Sequence, residues 1–293
     1  MKIYHLWILV TFAPLLFPCY VAAQTPPVQK APPPAATPAD TNKTNTSDQP
    51  KPVEPELQFE LGASYDFLSK NRGDWQSYFL NFNKKFRSAQ ILYGSACVVR
   101  RFHQTDPCLM LGLYQPLNKS RRWAATFEAS ASPHHQILPV ISIYGQIEHN
   151  FGKGWVGHAG LRHSHYSAND VTLGKVTNNV NIGVFGVENY FKAYRVAYTL
   201  YVANLNGGTA ASHAFQGNYY YGERNSIGLG VAFGEEIESV GNGLLLKTPV
   251  QEVSMQGRHW MNQKWGLSYV AWWHRQGELY NRSGAQIGLL LRF

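Results

Sequence analysis

The chain has 293 residues and a formal net charge of +8, with hydrophobic residues at 44%, aromatics at 14% and charged residues at only 15%. Few charges and many ring side chains suit strands and apolar interfaces rather than a highly solvated surface. The basic residues are scattered through strand and turn segments and form no arm, basic helix or zinc-finger spacing, which excludes nucleic acid and favours anionic lipid headgroups as a partner.

Residues 1–23 read as a secretory signal peptide. Lys2 supplies the positive n-region, Leu6 to Phe17 the apolar run, and Val21-Ala22-Ala23 the small residues before cleavage. The run is short for a membrane helix, which needs about 20 residues. Phe17-Pro18 ahead of Cys19 does not fit the small-residue sequence that precedes a lipidated cysteine, so the mature chain is expected to begin at Gln24. Residues 24–56 are rich in Pro, Ala, Thr, Asn and Lys, with Pro32-Pro33-Pro34 as a landmark. Such a composition buries too little apolar surface to offset chain entropy and predicts a disordered periplasmic leader.

From residue 57 to residue 293 the pattern alternates with period two. Leu57, Phe59, Leu61, Ala63, Tyr65 and Phe67 share one face, with Gln58, Glu60, Gly62, Ser64 and Asp66 on the other. The pattern returns at Ile141, Ile143 and Ile147 against Ser142, Tyr144, Gln146 and Glu148, and again at Ile227, Leu229, Val231 and Phe233. Strands are predicted over 57–67, 74–86, 89–100, 108–115, 122–131, 138–150, 154–166, 179–191, 194–204, 211–222, 226–236, 249–260, 264–275 and 280–293. That is about fourteen, an even number as a bacterial barrel requires; twelve, with the weak fourth and fifth merged or misread, is the second choice. Short turns at Arg87-Ser88, Gly152-Lys153-Gly154, Lys192-Ala193, Glu223-Arg224-Asn225 and Asn262-Gln263 are assigned to the periplasm. Longer connections at Ala168 to Asn178, Asn206 to Ala210 and Ile237 to Thr248 are assigned to the outside.

A soluble sandwich also alternates. Aromatics near the strand limits favour a membrane, where they would rest at the headgroup level: Trp75, Trp123, Trp155, Trp260, Trp265, Trp273, Tyr190, Tyr194 and Tyr280. Cys97 and Cys108, eleven positions apart in an oxidising compartment, either staple the loop from Arg101 to Asp106 or remain two small apolar residues.

The chain ends on an apolar face of Ala285, Ile287, Leu289, Leu291 and Phe293, opposite Arg282, Gly284, Gln286, Gly288 and Arg292. This ending resembles the signal read by the barrel-assembly machinery of Gram-negative outer membranes, with Phe293 as its terminal aromatic. The segment as a whole resembles the YaiO family of outer-membrane β-barrels. The residues that carry the likeness are Asp74-Trp75, Gly154-Trp155 before Gly160-Leu161-Arg162, Gly186-Val187-Glu188-Asn189-Tyr190, and Gly288-Leu289-Leu290-Leu291-Arg292-Phe293. The resemblance implies an all-β, single antiparallel transmembrane barrel in a Gram-negative outer membrane, of unsettled function and associated with surface or extracellular polysaccharide. It transfers no catalytic residue.

A polar lumen must balance its charges, because an unpaired buried ion is costly. Glu60, Glu128, Glu148, Glu188 and Glu252 fall on inferred lumen faces with Arg162, Arg195, Arg258, Arg282 and Arg292, which predicts pairing across the lumen; a selectivity ring is the alternative. Tyr144, Trp272 and the run Tyr219-Tyr220-Tyr221 are candidates to stack on sugar rings, against a packing or girdle role. His165-Tyr166-Ser167-Ala168-Asn169 resembles the H-x-S-N-A stretch of the lipid A 3-O-deacylase barrels. An acyl hydrolase with His165 as base and Ser167 as nucleophile is therefore the alternative function, although Asn and Ala are transposed and no partner carboxylate is identifiable. His134-His135, and His163 with His165, lack a third ligand at suitable spacing, so no metal is expected.

The sequence thus predicts a non-enzymatic barrel without cofactor, a passive conduit or scaffold that handles a saccharide. Its expected partners are outer-membrane lipids, lipopolysaccharide and the assembly machinery. A water path is expected unless Ile237 to Thr248 or the leader plugs it.

Overall fold

A computed structural model describes residues 55–70, 72–170 and 174–293. The signal peptide and all of the leader before residue 55 lie outside the described residues. Fourteen strands follow in order: β1 (Glu56–Leu68), β2 (Trp75–Lys85), β3 (Ile91–Arg101), β4 (Gln104–Pro116), β5 (Trp123–Ala131), β6 (Ile141–Gly152) and β7 (Trp155–Asp170). The second half comprises β8 (Gly174–Phe191), β9 (Tyr194–Leu205), β10 (Gly208–Tyr221), β11 (Asn225–Gly241), β12 (Leu244–Trp260), β13 (Trp265–Gln276) and β14 (Tyr280–Arg292).

Each strand pairs antiparallel with its neighbours in sequence, and β1 pairs with β14 from Gln58↔Arg292 to Leu68↔Arg282, so the sheet closes on itself. Phe293 tightens the seam: its backbone N–H donates to Leu57 O at 2.8 Å, and its ring meets Phe59 edge-on at 6.1 Å. An even strand number puts both ends of the sheet on one side, the periplasmic side in barrels of this kind.

The side chains decide between sandwich and membrane barrel. Leu61 (61%), Leu229 (63%) and Ile287 (59%) are exposed on the outer face, while their polar neighbours Glu60, Gly228 and Gln286 turn inward. An apolar outside with a polar inside is the reverse of a soluble core and fits hydrocarbon. Among the described residues no helix is long and apolar enough to cross a membrane, so the strands do the crossing.

Three expectations need correction. The long outer connections at 168–178, 206–210 and 237–248 are largely strand: β7 and β8 leave only 171–173 between them, β9 and β10 turn at Asn206-Gly207, and β11 and β12 turn at Asn242-Gly243. Both residues of each Asn-Gly pair have positive φ (49° and 84°; 52° and 71°), the geometry that a two-residue hairpin demands and that Asn and Gly supply at least cost. Second, Trp75, Tyr190 and Tyr280 are buried inside the barrel, and Trp260 is on the inward register too. The exposed ring belt is formed by Trp123, Trp155, Tyr194, Trp265 and Trp273 with additions such as Phe191 and Tyr219. A ring near a strand limit goes to lipid or lumen according to its parity, which proximity alone does not reveal. Third, the hairpin expected to loop from Arg101 to Asp106 turns at Phe102-His103, and Cys97 and Cys108 lie directly opposite each other beneath it as a disulfide, Cα to Cα 5.0 Å.

Candidate functional site in the barrel lumen

All the inward-facing charged residues expected from the alternation do face the lumen, but their partners differ from simple mutual pairing. Two pairs join members of the expected set, but along neighbouring parts of the wall rather than across the lumen: Arg162 meets Glu128 at 2.8 Å, and Arg195 meets Glu188 at 2.7 Å. Each is extended by neutral donors and acceptors. Tyr93 donates to Glu128 at 2.8 Å, Tyr190 donates to Glu188 at 2.9 Å, and Arg195 also donates to Gln216 and Asn218 at 2.7 and 3.0 Å. Glu148 is buried on the same inner face.

The remaining expected residues pair with groups that the sequence reading passed over. Glu60 accepts from Asn81 at 3.2 Å and from Ser268; Arg292 bonds Glu56 at 2.9 Å, with Arg224 at 3.6 Å on the same carboxylate. Arg258 lies in the field of Glu60 and Glu56 at this periplasmic end. At the outer end, Arg282 faces Asp66 at 3.7 Å, and Glu252 bonds His274 at 3.0 Å while Glu236 approaches the other ring nitrogen at 3.6 Å.

One outer cluster is built around Trp75. The guanidinium groups of Arg101 and Arg282 lie 4.6 and 5.0 Å from its ring centroid, and Phe102 and Tyr280 meet it edge-on at 5.1 and 5.4 Å. Arg101 reaches Glu238 at 4.0 Å, and Tyr280 donates to Glu238 at 3.2 Å.

The outer half is occupied by chain as well as side chains. The β5–β6 connection, residues 132–140, folds inward, and Ile137 and Leu138 are buried at 0 and 1% exposure. The Asp106 carboxylate, itself 0% exposed, accepts three backbone N–H groups from it: Gln136 at 3.0 Å, Ile137 at 2.7 Å and Leu138 at 2.8 Å. The tip of the β11–β12 hairpin leans over the same space. Its register shifts at a bulge at Ser239/Gly241; Ser239 donates to Ile137 O of the inward-folded segment at 2.8 Å, and Asn242 at the tip accepts from Gln104 of the far wall at 2.6 Å. β4 and β11 are on opposite sides of the ring, so this contact spans the mouth.

The proposed sugar platforms are covered. Tyr144 carries the Arg162 guanidinium 4.7 Å from its ring centroid, Trp272 is buried and donates to Asp66 at 2.7 Å, and Tyr220 is buried. Tyr219 and Tyr221 face outward, a correction that follows from parity along β10. His165 and Ser167 also face outward on β7, by the alternation that turns Ser164, Tyr166 and Ala168 inward. His165 Nδ1 bonds the amide oxygen of Asn179 at 2.8 Å, a neutral partner where a catalytic triad would place a carboxylate.

Comparison with known proteins bears on this arrangement. A family model described as the YaiO membrane beta barrel domain matches residues 56–238. The chain belongs to the YaiO family. The match stops within β11, and the closing motif Gly288 to Phe293 that contributed to the resemblance lies beyond it. No curated protein matches the chain. Among solved structures it is similar to the CymD monoaromatic hydrocarbon channel, at 10% identity and a TM-score of 0.52 over 81% of this chain and 87% of that one. It is also similar to a bacterial polysaccharide outer membrane secretin (10%, 0.49; 82% and 98%) and to an anion-selective porin from Comamonas acidovorans (8%, 0.46; 82% and 99%). At such identity the first likeness speaks for the fold alone. The YaiO family membership and the apolar outer belt locate the barrel in the outer membrane of a Gram-negative bacterium.

Proposed function

We propose that this YaiO barrel is a non-enzymatic scaffold for a surface or extracellular polysaccharide, with its lumen shut in the resting state. The polysaccharide is what the family resemblance implies. The observation that favours a scaffold over an open conduit is the inward-folded 132–140 segment beneath the β11–β12 tip, above a lumen whose charges are buried and largely engaged with one another. Such pairing supports structure rather than a free selectivity ring, because ions already held by protein partners are poorly placed to replace a solute's hydration shell.

The test is genetic and chemical. Cells lacking the protein should retain less surface polysaccharide, and the full chain should restore it; unchanged polysaccharide amount, length and retention would reject the reading. The same complementation separates scaffold from enzyme. His165→Ala and Ser167→Ala are expected to leave both polysaccharide retention and lipid A acylation, read by mass spectrometry, unchanged. A wild-type-dependent loss of an acyl chain that either substitution abolishes would establish the hydrolase instead. In the same reading the assembly machinery engages the Phe293 end, and deleting Phe293 should lower the outer-membrane level of the barrel without preventing its refolding in detergent.

A further inference from the structure

The most extensive apolar cluster of the lumen lies in its outer half, around the inward-folded segment. Leu138 lies among Phe79, Val99, Tyr166, Ile182 and Ile237, with the Cys97–Cys108 disulfide in the same cluster. Its members are contributed by β2, β3, β4 and β6 to β12, most of the circumference. Below and beside it, smaller apolar clusters such as Ile91, Tyr93 and Met110 are interspersed with charged and polar side chains, and Arg258 Nε and Ser95 Oγ are buried without a hydrogen-bond partner, which is where water belongs in a folded interior. Polar stretches with water transmit small solutes and ions; an apolar constriction opposes them by dewetting, and here an inserted segment also occupies the bore beside it.

The centre of that cluster is not part of the wall. It is the 132–140 segment, whose ends are closed by Ser132 N–H to Val140 O at 3.2 Å and Val140 N–H to His165 O at 2.8 Å, and whose middle is held by one carboxylate and one hydroxyl. Asp106 holds three consecutive N–H groups, and Ser239 couples the segment to the hairpin tip above. Pro133 and Pro139 bracket it, restricting the backbone at both ends and leaving the middle to depend on the latch. A backbone N–H bond to an ionised carboxylate is stronger than a neutral one, so three of them converging on a single side chain make that side chain the point of control.

We infer that the barrel has a second activity as a gated channel for small hydrophilic solutes, with residues 132–140 as the plug and Asp106 as the latch. The inference rests on the shut-lumen part of the scaffold reading, not on its polysaccharide part. The lumen exposed by withdrawal is lined by Arg and Glu in pairs, so neutral solutes such as short sugars should pass with ions of either sign.

The test uses the purified full chain in planar bilayers and in proteoliposomes, with heat-modifiable gel migration as the check of folding. The variants are Asp106→Ala, Asp106→Asn and a barrel whose residues 134–138 are replaced by Gly and Ser. The wild type should be closed for most of the record. The loop-replaced barrel should conduct continuously and make liposomes swell in a neutral disaccharide. Asp106→Ala should raise open time about tenfold or more, the factor that corresponds to ~1.4 kcal/mol, and Asp106→Asn, which keeps oxygen but loses charge, should fall between. A folded loop-replaced barrel that stays silent would overturn the plug. A conducting loop-replaced barrel beside a folded Asp106→Ala no more open than wild type would overturn the latch, and if Asp106→Ala does not fold, Asp106→Asn decides by the same comparison. The polysaccharide assay in cells is independent of all three, so failure of the gate and failure of the scaffold reading are distinguishable.

Discussion

Arg195→Ala is expected to destabilise the barrel by about 3–5 kcal/mol, the cost typical of leaving one partner of a buried ion pair alone. Arg195 and Glu188 are 2 and 3% exposed as side chains, 2.7 Å apart. Removing the guanidinium leaves the Glu188 carboxylate without its cation and takes one donor away from the oxygens of Gln216 and Asn218. Denaturant unfolding in detergent micelles, followed by tryptophan fluorescence, measures the loss. Pairing Arg195→Met with Glu188→Gln should recover a large part of it, since the double variant removes the uncompensated charge along with its partner. Arg275→Ala is the control. Its partner Glu278 is 88% exposed, and loss of that pair should lower the unfolding free energy by less than about 1 kcal/mol.

Trp75→Ala is expected to cost a similar amount, about 3–5 kcal/mol, by a different route. The indole is 2% exposed and carries two guanidinium groups at 4.6 and 5.0 Å from its centroid. Alanine would leave a cavity between Phe102 and Tyr280 and remove the electron-rich face that makes two nearby cations tolerable. Trp75→Phe keeps a ring face and should lose clearly less than the alanine variant in the same unfolding experiment. Equal losses for the two would show that volume alone matters there and that the cation contacts contribute nothing.

Most of the fold was legible because period two is a strong signal when one face must meet lipid. Leu57 to Phe67 and Ala285 to Phe293 could be assigned to their faces residue by residue, and the two strands are those that close the ring. The outer ends were misread where strands run beyond the membrane. There Glu236, Glu238 and Leu244 to Thr248 no longer follow a clean apolar alternation, and the Asn-Gly turns that fix the true hairpins were absorbed into presumed loops. The lumen was legible by face but not by partner. Glu128 and Arg162 are on neighbouring parts of the wall, whereas Arg101 and Glu238 meet only because a bulged hairpin crosses the mouth, and no local pattern announces a contact of that separation. Asp106 was hidden for a related reason. At the end of a short hairpin it reads as a turn residue, and its role depends on a segment thirty positions away folding inward.

The central claim is that this outer-membrane barrel is shut by its own chain. The most direct measurement is single-channel recording of the purified wild-type barrel in planar bilayers at moderate voltage, with insertion confirmed independently by protease protection. The account predicts inserted protein with a silent baseline broken only by rare openings. A steady ohmic conductance from the wild type, of the size expected for a water-filled pore, would contradict it.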